Sequence, residues 1–184
     1  MDRGDGLTIW ITGLPSAGKT TIARALADRL RQAGHDVELL DGDVVRAGLS
    51  RGLGFSKEDR DENVRRTGFV ASLLAHHGVV VVAAMVSPYR RTRDEVRARH
   101  DGHFFEVHVS TPVEVCAARD VKGLYARQRA GRLSGLTGVD DPYEPPLEPD
   151  VVVPTEAQTV EESVEAVWRA LEARRPAPPG TIEG

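Results

Sequence analysis

A β-prone run, Leu7 to Thr12, leads directly into Gly13-Leu14-Pro15-Ser16-Ala17-Gly18-Lys19-Thr20-Thr21. Beyond it, Ile22, Ala23, Leu26, Ala27 and Leu30 recur at helical spacing. A G-x-x-x-x-G-K-[ST] segment between a strand and a helix leaves the chain few options. The glycines let the backbone curl until its N–H groups converge, and the helix behind adds partial positive charge. The segment is expected to cradle a polyphosphate, with Lys19 reaching the β- and γ-phosphates and the Thr20 hydroxyl ligating Mg²⁺. ATP and Mg²⁺ are therefore the expected cofactors.

The rest of the chain repeats the strand–helix alternation. Val37–Leu40, Val79–Val86, Phe104–Val109 and Val151–Val153 read as strands, the second so apolar that it should be covered on both faces. Asn63–His77 and Val160–Ala173 read as helices, and Pro112 is placed to open another. This order predicts an α/β, three-layer fold with a mostly parallel central sheet in one domain over residues 1–173. The Pro/Gly-rich stretch 174–184 is expected to be a disordered tail. Ligands of such sheets gather at the carboxyl ends of the strands, here after Thr12, Leu40, Val86 and Val109.

Composition narrows the class. The 24 basic and 28 acidic residues give a net charge of -4, which speaks against a whole-protein nucleic-acid footprint. One cysteine, Cys116, allows neither an internal disulfide nor a multi-cysteine metal site. No apolar segment is long enough to span a bilayer and the start lacks a signal-type apolar stretch, so a cytoplasmic protein with no membrane partner is expected. His76 and His77, just before Gly78, read as helix C-terminal caps rather than catalysts.

The reaction class turns on where the acids lie. A switch or motor holds its metal with an acid on the strand beside the cradle, but the run ending at Val86 continues as Ser87-Pro88-Tyr89-Arg90. The acids stand instead at the end of the second strand, as Asp41-Gly42-Asp43. A carboxylate there can orient and deprotonate an acceptor hydroxyl opposite the γ-phosphate. The residues alone leave open a kinase for another modified nucleotide and a non-catalytic nucleotide-binding module.

A resemblance gives direction. Leu40 to Arg46, Gly54-Phe55-Ser56, Asp59 to Arg66, Ser87 to Arg90, Phe105-Glu106-Val107, Arg119 to Tyr125, Arg129-Ala130-Gly131 and Thr137 to Glu144 together resemble the adenylylsulfate kinase family in order and spacing. The resemblance implies transfer of the ATP γ-phosphate to the 3′-hydroxyl of adenylyl sulfate, in a homodimer. It implies Asp43 as the base beside that hydroxyl, Asp41 near the metal's water shell, and Ser87 as an active-site hydroxyl. Arg46, Phe55, Arg60, Asn63, Val86, Ser87, Lys122 and Leu136 would contact the acceptor, with Phe55 stacking on its adenine. Arg119, with Cys116 nearby, would meet the ATP adenine. Residues 119–145 resemble the family's basic lid, and Lys122 and Arg132 would stabilise charge. Val44, Ala47 and Leu136 depart from the usual Asn, His and second Phe.

Overall fold

The computed structural model describes residues 6–174. Apart from Arg174, the stretch expected to form a tail lies outside the described residues. Five strands, β1 (Leu7–Gly13), β2 (Val37–Asp41), β3 (Val80–Ala84), β4 (Phe104–Val109) and β5 (Val151–Val153), form one sheet in the order β2-β3-β1-β4-β5. Every pairing is parallel, so the expectation of a mostly parallel sheet is met in full. The helices are α1 (Lys19–Gln32), α2 (Gly42–Ala47), α3 (Lys57–His76), α4 (Arg90–Ala98), α5 (Val113–Arg119), α6 (Leu124–Arg129) and α7 (Val160–Ala173).

The three layers follow from the two-residue period of a strand. In β1, Ile9 and Ile11 point into a core shared with Leu26 and Leu30 of α1 and Val164 and Val167 of α7. Trp10 points the other way, into a cluster with Val64 of α3, Val96 of α4 and Phe104. Both faces being buried, each large apolar side chain contributes about 1.5–3 kcal/mol. On the second face, a Cβ on Gly68 would lie 2.6 Å from Val96 Cγ2, so the glycine permits the close approach of α3 to α4.

Register sets the site. Asp41 pairs with Ala84 and Gly13 with Val109, so the carboxyl ends of β2, β3, β1 and β4 finish together. Among the described residues, no helix is long and apolar enough to cross a membrane.

Several boundaries moved for identifiable reasons. Helix α3 starts at Lys57, not Asn63, because Ser56 caps it by accepting from Asp59 N at 3.1 Å; its charged first turns carry no apolar period. Strand β3 stops at Ala84 rather than Val86, since the chain turns at Ser87 with φ 38°. Helix α2 follows β2 directly: the Asp41 side chain accepts from Asp43 N at 3.0 Å and starts it. Helices α4 and α6, both arginine-rich, had no apolar stripe to mark them. The expected caps are present: His76 and His77 donate from Nδ1 to the Ser72 and Leu73 carbonyls, at 2.7 and 2.8 Å.

Candidate active site

The cradle is built from backbone conformations that a regular element cannot supply. Gly13 leaves β1 where a Cβ would lie 2.6 Å from the Val109 carbonyl oxygen. Ser16 has φ 62° and Gly18, the cap of α1, φ 103°. The non-glycine outlier is local strain of the kind found at ligand clamps. The Ala17 carbonyl fastens the loop, accepting from Thr111 Oγ1 at 3.1 Å and Thr155 Oγ1 at 2.8 Å.

Inside the loop, Lys19 Nζ donates to the Leu14 carbonyl at 2.6 Å. Burial lowers its pKa to about 8, with Lys122 adding to the effect and Cys116, Asp43 and Asp41 opposing it. A desolvated ammonium held in this way gains strongly from an incoming phosphate.

Thr20 Oγ1 donates to Asp41 Oδ2 at 2.8 Å, tying the start of α1 to the end of β2. A hydroxyl and a carboxylate side by side suit Mg²⁺, which takes one or two protein oxygens and fills the rest of its octahedron with water and phosphate. Among the described residues, no group of three or more His, Cys, Asp or Glu forms a protein-only cage. That is the donor set expected for a cation arriving with a nucleotide.

A cleft of about 770 Å³ opens over the cradle and spreads into two wings. One wing, between α2, α3 and the β3 end, is lined by Asp43, Arg46, Phe55, Arg60, Asn63, Val86 and Ser87. Arg46 lies with its guanidinium carbon 4.5 Å from the centre of the Phe55 ring and donates to the Gly54 carbonyl at 2.7 Å. Phe55 itself is 64% exposed. Arg60 reaches across to Asp141 at 3.1 Å, and donates to Thr137 Oγ1 and the Gly135 carbonyl. Asn63 is 5% exposed, yet its Oδ1 has no hydrogen-bond partner among the described residues. A buried, unsatisfied acceptor carries a desolvation cost that a bound donor removes.

The other wing lies between α1, α5 and the β5–α7 connection, and includes Arg119, Thr155 and Gln158. Val121, Lys122, Leu124, Arg127 and residues 133–137 of the arginine-rich segment complete the lining. Lys122 in this cover pairs with Asp43 below it. Tyr125 Oη donates to the Pro15 carbonyl at 3.0 Å, and Tyr143 Oη lies 3.1 Å from Thr12 Oγ1.

Two expected residues stand outside the cleft. Cys116 is fully buried in the core beneath the cradle, its thiol pKa raised first by desolvation, and it does not reach the cleft. Arg132 is exposed and outside the cleft, where Arg127 stands instead. Ser87 lines the wing, but its hydroxyl accepts from Trp10 Nε1 at 3.0 Å and donates to Thr12 Oγ1 at 3.0 Å. With both roles spent inside the protein, it is arranged for positioning rather than for relaying a proton. Leu136 lines the cleft, although its side chain is buried with the main core.

Sequence reasoning passed over Arg93. Arg93 is 2% exposed and donates to Glu106 Oε1 at 3.0 Å, the Ser87 carbonyl at 2.6 Å and the Glu144 carbonyl at 2.6 Å. It thereby fastens the β3 end to the base of the cover. Nothing in the local sequence separates it from its neighbours, the half-buried Arg90 and the exposed Arg91.

A strand-borne phosphate cradle, faced by carboxylates at and just after the end of β2, two places away in the sheet, and closed by a basic cover, defines a P-loop kinase that moves phosphate from ATP to a hydroxyl. The family profile described as adenylylsulphate kinase matches residues 5–154. An adenylyl-sulfate kinase of Rippkaea orientalis is 58% identical over 170 residues, covering 92% of this chain and 93% of the relative. One of Microcystis aeruginosa is 56% identical over 166 residues, covering 90% and 91%. Among solved structures, the Mycobacterium tuberculosis APS kinase CysC in complex with AMPPNP and APS superposes with a TM-score of 0.88 at 40% identity, covering 92% of this chain and 99% of that one. The chain belongs to the adenylylsulfate kinase family.

Proposed function

We propose that the chain transfers the γ-phosphate of MgATP to the ribose 3′-hydroxyl of adenylyl sulfate, giving 3′-phosphoadenylyl sulfate and ADP. The observation that carries this reading is the acceptor wing. Asp43 faces the cradle at its mouth, and Asn63, Arg46, Arg60 and Phe55 supply an unmet acceptor, two guanidinium groups and an aromatic face behind it. Such a set suits a second, anionic nucleotide.

In this reading the cradle N–H groups and Lys19 hold the β- and γ-phosphates. Bound at Thr20 and Asp41, Mg²⁺ would supply charge neutralisation between the phosphates. The entering 3′-hydroxyl displaces Lys122 from Asp43, which orients the hydroxyl and takes its proton as the new O–P bond forms. The bond from the γ-phosphorus to the β–γ bridging oxygen breaks, leaving ADP, while Lys122 and Arg127 turn toward the charge on the leaving side. Residues 119–145 act as a lid that excludes water, since water would otherwise accept the phosphate. Ser87, Trp10 and Thr12 shape the floor of the acceptor wing. ATP as donor suits the cytoplasm, and the family resemblance supports a homodimer.

Coupled ADP release measured with adenylyl sulfate, AMP, cytidine nucleotides and small alcohols tests the acceptor. Turnover with adenylyl sulfate should exceed that with every other compound. Equal or better turnover with another acceptor would overturn the assignment.

A further inference from the structure

Tyr125 belongs to α6 of the basic segment, yet it does not line the cleft as its helix neighbours Leu124 and Arg127 do. Its side chain is buried in the main core. From there the hydroxyl donates to the Pro15 carbonyl of the phosphate loop at 3.0 Å. Burial raises the pKa of the phenol, chiefly by desolvation, so the group keeps its proton and serves as a donor.

The carbonyls of the phosphate loop are held one by one. Leu14 O accepts from Lys19 Nζ at 2.6 Å, and Ala17 O accepts from the Thr111 and Thr155 hydroxyls at 3.1 and 2.8 Å. Among the described residues, Pro15 O has Tyr125 alone. No peptide here is cis, and in a trans peptide the carbonyl and the N–H that follows point in opposite directions. The Pro15 carbonyl turned toward a buried hydroxyl therefore leaves the Ser16 N–H turned away from it, and Pro15 and Ser16 both line the cleft. That N–H has no hydrogen-bond partner among the described residues. Ser16 also has φ 62°, a conformation that a residue with a side chain keeps only where its surroundings hold it.

We propose that Tyr125 is a positioning residue for the donor phosphates: its hydroxyl holds the Pro15–Ser16 peptide with the Ser16 N–H presented to them. The same bond seats α6 against the cradle, so the lid and the phosphate loop are joined at one atom pair. The inference rests on the reading of residues 13–20 as a cradle for ATP and of residues 119–145 as its lid, and it does not depend on the acceptor.

Tyr125→Phe keeps the ring in its seat and removes the hydroxyl alone. Calorimetric titration of the full chain with Mg²⁺ and the β,γ-imido analogue of ATP should show an affinity about 3- to 10-fold weaker, the worth of one neutral hydrogen bond. Limited digestion of the same chain by trypsin should cut after the exposed Lys122, Arg127, Arg129 and Arg132 faster by a similar factor, because cleavage follows local opening. In turnover, the KM for ATP should rise while the KM for the acceptor holds, a split that a general loss of stability would not produce. Unaltered affinity overturns the proposal, as does unaltered cleavage of the lid or an equal rise of both KM values. Weaker binding and faster cleavage in a chain that does not turn over adenylyl sulfate would support the proposal and count against the acceptor assignment alone.

Discussion

Thr20 and Asp41, twenty-one positions apart, meet at 2.8 Å where α1 begins and β2 ends. The same carboxylate starts α2 by accepting from Asp43 N, so a single side chain joins the proposed Mg²⁺ corner to the candidate base. Coupling of this kind makes several outcomes specific.

Thr20→Val keeps the shape of the corner and removes the hydroxyl. Its kcat should fall by about 10²–10³-fold, as for loss of one electrostatic contact in a preorganised site. The Mg²⁺ concentration needed for half-maximal rate should rise as well. A Mg²⁺ titration of initial rates against the wild type reads both quantities.

Asp43→Ala should lower kcat by about 10²–10⁴-fold, the range for a positioned general base. ATP affinity should hold, because the cradle is untouched; displacement of a fluorescent nucleotide measures it. Lys122→Ala separates catalysis from stability at the same contact. The pair is well exposed, so its loss should cost less than about 1 kcal/mol and leave Tm nearly unchanged while kcat falls.

Nucleotide affinity should depend on pH through Lys19. Its pKa of about 8 in the free protein lies below the ordinary lysine value, chiefly through burial. Phosphate favours the charged form, so binding raises that pKa and takes up a proton when the pH is above 8. Affinity should therefore be flat below pH 8 and decline above it. Titrations in two buffers of different ionisation enthalpy would show proton uptake at pH 9 and little at pH 7.

Arg93→Met tests the fastening beneath the site. Removing one partner of a buried ion pair costs about 3–5 kcal/mol. Glu106 keeps a second contact with Arg97 at 3.0 Å, which points to the lower end of that range. Urea unfolding should show the loss. With the Ser87 and Glu144 carbonyls released, the acceptor KM should rise more than the ATP KM.

Much of the fold could be read in advance because its signals are local. The phosphate loop carries its own glycines, β3 its unbroken valines, and α7 its Thr159–Glu162 capping pair. Helices α2 and α6 were missed because six residues are too few to carry an apolar period, and α4 because its cause is not local. Arg93 is buried in α4 only because Glu106 of β4 and two carbonyls wait for it, and no periodicity records that. The ordered blocks of the acceptor half indicated the family, yet they could not tell which of their residues face the cleft.

By itself the sequence determined that a strand–loop–helix cradle for phosphate would form, that a layered sheet would follow, and that Asp41 would end a strand. Those features are written in backbone preference and hydrophobic period, which neighbouring residues settle among themselves. Tertiary structure alone decided that Thr20 meets Asp41 and that the Ser87 hydroxyl is spent between Trp10 and Thr12. It also left the buried Asn63 oxygen without a hydrogen-bond partner among the described residues. Side chains far apart in the chain acquire their partners only when parallel strands end in register, and that register is a property of the whole sheet.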